Sequence, residues 1–463
     1  ANCTEKACAF STSIGAYNYP KYNLNQAWKR MLQHQFHDDI TGTSVMDVYN
    51  TAWSDYNLSI SQFTSEYVGA SKRIINELDT SWVDEKSNIL VINNPTQYMV
   101  KRTVEAHIKM TRNCTNVTVS DKKGNSVPVQ VIHKNGKKLT ILLTVEIEPF
   151  GYKVFEVKRF NAPYYVGHTN PELKATNHSL ENEKYRLLFN KNGDIARLYD
   201  KKLKRNIIDS PIKMALLHDT GSLAYPSWEI TKEDIDREPY CYANTPVFTL
   251  VESGPVRATI KVVREAEYST ITQLVSLSAG SEYVEVKNIV DWKTRRTMLK
   301  ATFPVAAHNK KATYDLGLGV IERETNTDNL YEVPAQKWAD LTDESGEFGV
   351  SIFSDSKYGW DKPNNNTLRL TCIHTPAGAF TKETRQDLQD LGRNVFSFAI
   401  YSHANGFENG TQKYSEIYEN PYLSLCTDYR NTRSLKDSVS FCQISNENVI
   451  IRAIKMAEDD EDC

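Results

Sequence analysis

Two imidazoles and two adjacent carboxylates fall within a six-residue stretch of the run Gln33-His34-Gln35-Phe36-His37-Asp38-Asp39-Ile40-Thr41-Gly42-Thr43. Imidazole is the commonest side-chain ligand for transition metals, and a neighbouring carboxylate can orient such a ligand or accept hydrogen bonds from hydroxyl groups. The pair also has a plainer use, because an Asp at a helix end often turns the backbone through its own hydrogen bonds. A phosphohydrolase of the His-Asp type needs further His and Asp ligands from neighbouring helices. The helical stretch after Ser44 carries no histidine. His374 and His403, far along the chain, read as loop or strand histidines.

The elements that must position this run are helices. Val45, Tyr49, Ala52, Tyr56, Phe63, Tyr67, Ala70, Ile74 and Leu78 recur mostly at three- and four-residue steps, which predicts one long amphipathic helix. Leu24, Ala27, Trp28, Met31 and Leu32 share one face of a shorter helix before it. The break between the two is Thr41-Gly42-Thr43-Ser44, with Ser44 or Thr43 the expected N-cap. From Ser87 onward the pattern changes to short strands cut by turns. The apolar run 89–92 stops at Asn93-Asn94-Pro95, and 139–148 stops at Pro149-Phe150-Gly151. Segments 185–189 and 195–199 flank Asn192-Gly193 as a hairpin. Gly and Pro are spaced too closely for βαβ crossovers, so antiparallel sheets are expected. The fold class is therefore α+β: a helical bundle over residues 1–85, a small β-sandwich over 86–160, and a large antiparallel β domain over 161–463.

The chain of 463 residues can bury a large core. Lys+Arg 55 against Asp+Glu 58 gives a formal charge of −3, so no basic field favours nucleic acid or an anionic membrane, and no apolar run approaches the length of a membrane span. The eight cysteines, Cys3, Cys8, Cys114, Cys241, Cys372, Cys426, Cys442 and Cys463, contain no CxxC pair, which argues against a zinc knuckle and leaves disulfides open. Asn-X-Ser/Thr sequons begin at Asn2, Asn57, Asn113, Asn116, Asn177, Asn365 and Asn409. Cysteines and sequons together point to a secreted or lysosomal compartment, with Ala1 a processing boundary.

The segment from Ala27-Trp28-Lys29-Arg30-Met31-Leu32 through Gln35-Phe36-His37-Asp38-Asp39-Ile40-Thr41-Gly42-Thr43-Ser44 resembles the helical-domain signature of the glycoside hydrolase family 38 α-mannosidases. Ser179-Leu180-Glu181-Asn182-Glu183, then Glu252-Ser253-Gly254-Pro255-Val256-Arg257, then Asp355-Ser356-Lys357-Tyr358-Gly359-Trp360-Asp361 before Leu368-Arg369-Leu370 resemble the β-domain of that family in the same order. The resemblance implies a retaining glycosidase in which a zinc ion binds mannose hydroxyls. It implies that His37 is a zinc ligand and that Asp38 binds sugar hydroxyls. Phe36 stands where many members carry another His. Ala224-Tyr225-Pro226-Ser227-Trp228-Glu229-Ile230 is similar to a stretch of some members that approaches the sugar, so Trp228 would stack on a pyranose and Glu229 would accept hydroxyl bonds. The alternative for Trp228 is a strand-edge residue covering core.

Retaining chemistry needs two carboxyl groups about 5 Å apart across one glycosidic bond, which the adjacent Asp38 and Asp39 do not offer. The resemblance accordingly implies no catalytic acid among these residues. The nucleophile, the general acid and the remaining zinc ligands would come from an N-terminal catalytic chain of the same precursor. The expected substrates are mannose-containing glycans, and a homo-oligomer is allowed. The rival reading is a non-catalytic carbohydrate-binding or assembly protein that keeps the mannosidase β-architecture.

Overall fold

The computed structural model describes residues 1–110, 113–160, 169–222, 224–378, 386–446 and 448–459. It divides into two compact units: residues 1–169 with 420–463, and residues 170–419.

The first unit opens with three helices, α1 (Asn2–Ser13), α2 (Lys21–Gln33) and α3 (Met46–Glu77). Cys8, Leu24, Ala27, Phe63 and Ala70 form their common core, and Trp28 meets Phe63 edge-on at 5.4 Å. The periodicity of α2 and α3 was legible, whereas that of α1 was not. The reason is that α1 buries polar groups: Lys6 is enclosed, donating to the Pro95 carbonyl at 3.0 Å and lying over the Phe150 ring. The expected cap of α3 differs too. Val45 occupies the N-cap position with no side-chain bond, because the Ser44 hydroxyl donates instead to Asp39 Oδ1 at 2.6 Å.

Behind the helices lies a sandwich of two antiparallel sheets. In one, Lys138–Glu146 sits between Lys101–Lys109 and Val129–Asn135; in the other, Asn88–Asn93 lies between Gly151–Phe160 and Leu423–Thr427. Successive side chains of a strand face opposite ways, and Asn88–Asn93 is covered on both faces. Leu90 and Ile92 enter the sandwich core with Ile141, Leu143 and Phe155. Ile89 and Val91 instead pack with Ile74, Ile75 and Leu78 at the end of α3. This double burial explains the unbroken apolar run.

The chain divides differently from the three spans read in the sequence. Residues 420–463 leave the large β domain and return to the first unit, where Leu423–Thr427 pairs with Asn88–Asn93 and Ser438–Ser440 pairs with Gly151–Phe160. These partners lie more than 280 residues apart in the chain, so no local pattern signals them.

The second unit contains a nine-stranded, a six-stranded and a five-stranded sheet. Trp292, Phe303, Trp360, Leu370 and Phe398 belong to its single large apolar core. Tyr185–Phe189 and Ile195–Asp200 form the expected hairpin. Gly193 in its turn has φ +82°, and a Cβ there would stand 2.8 Å from Arg264 Cδ, so both backbone and space require glycine. Among the described residues after Leu78 the only helices are short: α4 (Lys232–Asp236), α5 (Thr411–Glu419) and one 3₁₀ turn. None of the described helices is long and apolar enough to cross a membrane.

Candidate functional site

In the first unit α2 ends at Gln33, and His37 and Asp38 lie in the irregular turn that leads to α3. Gly42, with φ +85°, lets the chain reverse there. The Asp38 carbonyl accepts from the amides of Thr43 and Ser44 at 2.9 and 3.0 Å, and the Asp38 carboxylate accepts from Thr43 Oγ1 at 2.8 Å. The turn thus closes on Asp38 from both backbone and side chain. His37 stands outward with its side chain 74% exposed, and its Nε2 is 3.4 Å from Asp38 Oδ2. Phe36 packs against the His37 ring at 4.2 Å between centroids.

An open imidazole beside a carboxylate is a chemically suitable fragment of a zinc site, since both are ordinary zinc ligands. It is only a fragment, because among the described residues no three His, Cys, Asp or Glu side chains are grouped to hold a metal. His37 therefore fits as one ligand of a coordination sphere completed from elsewhere, with Asp38 beside it.

His34 had no assigned role in the sequence reading. It is buried at 3% exposure, with Nδ1 3.0 Å from Asp39 Oδ2 and Nε2 3.0 Å from Asp55 Oδ2. Burial opposes charge on His34, yet the bonds to Asp55 and Asp39 prevail and raise its pKa above the usual histidine value. The bond from Ser44, together with His34, holds Asp39 below the ordinary carboxylate range. The local sequence signal was the His34-to-Asp39 spacing; Asp55 lies on another helix and gave none.

In the second unit Trp228 and Glu229 follow Tyr225 in a tight turn, their amides each donating to the Tyr225 carbonyl at 3.1 Å. Trp228 is 60% exposed and stacks on Tyr225 with ring centroids 5.5 Å apart and planes at 13°. Trp228 therefore lies in a turn outside the strands, unlike the strand-edge alternative. Glu229 is also exposed. Just beyond this turn α4 is tied down firmly. Its Asp234 accepts from the Thr220 amide at 2.8 Å, and Arg369 donates to the Ile235 carbonyl at 2.8 Å. Arg369 is in turn held by the fully buried Asp361, which also receives Lys300 Nζ at 2.7 Å; Lys300 reaches Glu332 at 2.6 Å.

His374 lies on the strand Thr367–Thr375 and is paired with Asp219. His403 lies on Gly392–Ala404, buried, with Nε2 2.7 Å from Asp340 Oδ2 and Nδ1 3.1 Å from the Asn405 carbonyl. No disulfide joins the described cysteines; Cys463 lies outside the described residues.

Comparison with known proteins follows these two units. Residues 3–74 match the α-mannosidase middle domain, and residues 180–377 match the glycosyl hydrolases family 38 C-terminal domain. Alpha-mannosidase G of Dictyostelium discoideum is 21% identical over 94% of this chain and 42% of its own length. An alpha-mannosidase of Saccharomyces cerevisiae is 22% identical over 96% of this chain and 36% of its own. The chain thus spans less than half the length of these curated relatives. The crystal structure of an alpha-mannosidase from Enterococcus faecalis shares the fold with a TM-score of 0.84 at 18% identity, covering 99% of this chain and 59% of that one. With the middle and C-terminal domains both matched, in chain order, and the fold shared from end to end, this chain belongs to glycosyl hydrolase family 38.

Proposed function

We propose that this chain is the β-rich part of a zinc-dependent, retaining α-mannosidase that removes terminal α-linked mannose from glycans. In this reading it acts with an N-terminal chain of the same precursor, which supplies the nucleophile, the general acid and the other zinc ligands. The observation that carries the reading is the exposed His37 imidazole, held beside Asp38 on a turn closed by Thr43 and Ser44, inside the segment that matches the α-mannosidase middle domain. Zinc bound there would supply Lewis-acid binding of sugar hydroxyls. The His37 ring stands largely in solvent, and Asp38, with Oδ1 taken by Thr43, has Oδ2 3.4 Å from His37 Nε2, where it would accept from a sugar hydroxyl.

Trp228, its face open and its ring stacked on Tyr225, is proposed as a separate platform for the apolar face of a pyranose, with Glu229 accepting hydroxyl bonds. That exposed aromatic pair is also what favours the second reading, a carbohydrate-binding protein without catalysis. A secreted or lysosomal location agrees with exposed sequon asparagines at Asn57, Asn113, Asn177, Asn365 and Asn409.

The test is native purification followed by a denaturing gel and mass spectrometry, with hydrolysis of an aryl α-mannoside measured in parallel. A co-purifying polypeptide, zinc in the preparation and hydrolysis that disappears when the 463-residue chain is refolded alone support the enzyme. A homogeneous 463-residue species that binds mannosides without hydrolysing them supports the second reading.

A further inference from the structure

His34 lies where α2 ends and reaches two elements at once. Its Nδ1 meets Asp39, inside the turn that carries His37 and Asp38; its Nε2 meets Asp55, on α3, at the same 3.0 Å. A carboxylate only accepts, so both bonds form together only when each ring nitrogen carries a proton. The residue is then a short cationic strut between two anions, enclosed from water and capped by Tyr56, whose ring lies 5.4 Å away and whose hydroxyl donates to the His34 carbonyl at 3.3 Å. Burial makes such a strut costly to leave half-made, because one lost partner strands a charge.

The second anchor of the turn starts from the same residue. Asp39, held by His34, accepts from the Ser44 hydroxyl through its other oxygen at 2.6 Å, and the Ser44 amide donates both to the Asp38 carbonyl at 3.0 Å and to the Tyr49 hydroxyl at 2.8 Å. A chain of bonds therefore runs from Asp55 on α3 through His34, Asp39 and Ser44 to the backbone of Asp38. His37 contributes nothing to it, since its side chain is turned to solvent. Apart from its carbonyl, which accepts from the Thr41 hydroxyl, His37 is placed by the bonds of its neighbours.

We propose that His34 is the positioning residue of this site, bridging Asp39 and Asp55 so that the 34–45 turn is locked to α3 with His37 and Asp38 held in one orientation. The proposal rests on the reading of His37 as a metal ligand, and it assigns His34 no contact with metal or substrate. Outer partners that orient a metal ligand ordinarily govern metal affinity, and their loss weakens it about 10–100-fold.

The experiment uses the full-length zinc-loaded protein and four variants: His34→Ala, Asp55→Asn, the double variant and His37→Ala. Zinc affinity is read by competition with a chelator, the turn by hydrogen exchange of the Thr43 and Ser44 amides, and the fold by melting temperature. His34→Ala and Asp55→Asn should each weaken zinc about 10–100-fold and speed exchange at Thr43 and Ser44 about tenfold or more, and the double variant should lose no more than the worse single one. Asp55→Asn keeps the shape of the site should His34→Ala fold poorly. A lowered melting temperature with zinc affinity and turn exchange both unchanged reduces His34 to a structural role and overturns the proposal. His37→Ala separates the two readings. If it retains zinc, the metal reading of His37 fails, while unchanged exchange at Thr43 and Ser44 in the His34 variant separately defeats the lock.

Discussion

Asp361→Asn should destabilise the second unit more than any substitution at its surface, and the reason lies in what the carboxylate holds. Asp361 is fully enclosed, with Lys300 Nζ at 2.7 Å, Arg369 Nε at 2.8 Å and Asn326 Nδ2 at 3.2 Å. Burial alone would raise its pKa, but the two cations outweigh burial and keep it below the ordinary aspartate value. An amide turns one acceptor into a donor facing other donors. The remaining amide oxygen serves one cation only, so either Lys300 is left with Glu332 or Arg369 with the Ile235 carbonyl, in a water-poor site. Removing one partner of a buried ion pair costs about 3–5 kcal/mol. For a unit of roughly this size each kcal/mol moves the melting point by about 2–4 °C, giving a fall of roughly 6–20 °C. Calorimetry on the full protein reads it. The wild type should also lose this stabilisation as pH falls through the native pKa of Asp361, because a depressed carboxylate pKa stabilises above the unfolded value of about 3.9; the variant should lack that acid-dependent loss. Replacing Lys300, Asp361 and Arg369 together by apolar residues of similar volume should recover much of the stability, since the desolvation cost goes with the charges. A fall below about 2 °C in Asp361→Asn would show that the network contributes little and refute the reasoning.

His37→Ala should remove zinc and most activity with little change in melting temperature, while Asp38→Asn should retain zinc and raise KM, as zinc analysis and steady-state kinetics on an aryl mannoside would reveal. Lys362 is buried against the carbonyls of Asn309 and Asn364, and its pKa is pushed down to about 8. Its unfolded pKa is near 10.4, so stability should rise as pH climbs from about 8 toward 10.4, and urea titrations of Lys362→Met should lack that rise. Gly349→Ala should cost about 1–3 kcal/mol in the same titration, because the new Cβ would stand 2.3 Å from His403 Cε1 and push the ring off Asp340.

The parts of this protein that its sequence determined are those in which neighbours in the chain suffice. The period of α3 follows from Phe63, Ala70 and Ile74 falling on one face, and the hairpin at residues 185–200 follows from Asn192-Gly193, because both depend on backbone geometry over a few residues. The break at Thr41-Gly42-Thr43-Ser44 between α2 and α3 was legible for the same reason, whereas the exposure of His37 was not. Tertiary structure decided the rest. α1 hid behind its own buried polar side chains, since Lys6 is satisfied by Pro95 and Phe150, which belong to the sandwich. The return of Leu423–Thr427 to Asn88–Asn93 depends on backbone groups that carry no address in the sequence. His34 read as one more histidine until α3 placed Asp55 against it, and Asp361 read as one more acid until three strands brought Lys300 and Arg369 to it. An ion pair enclosed from water derives its strength from a low dielectric, and only a finished fold creates that environment.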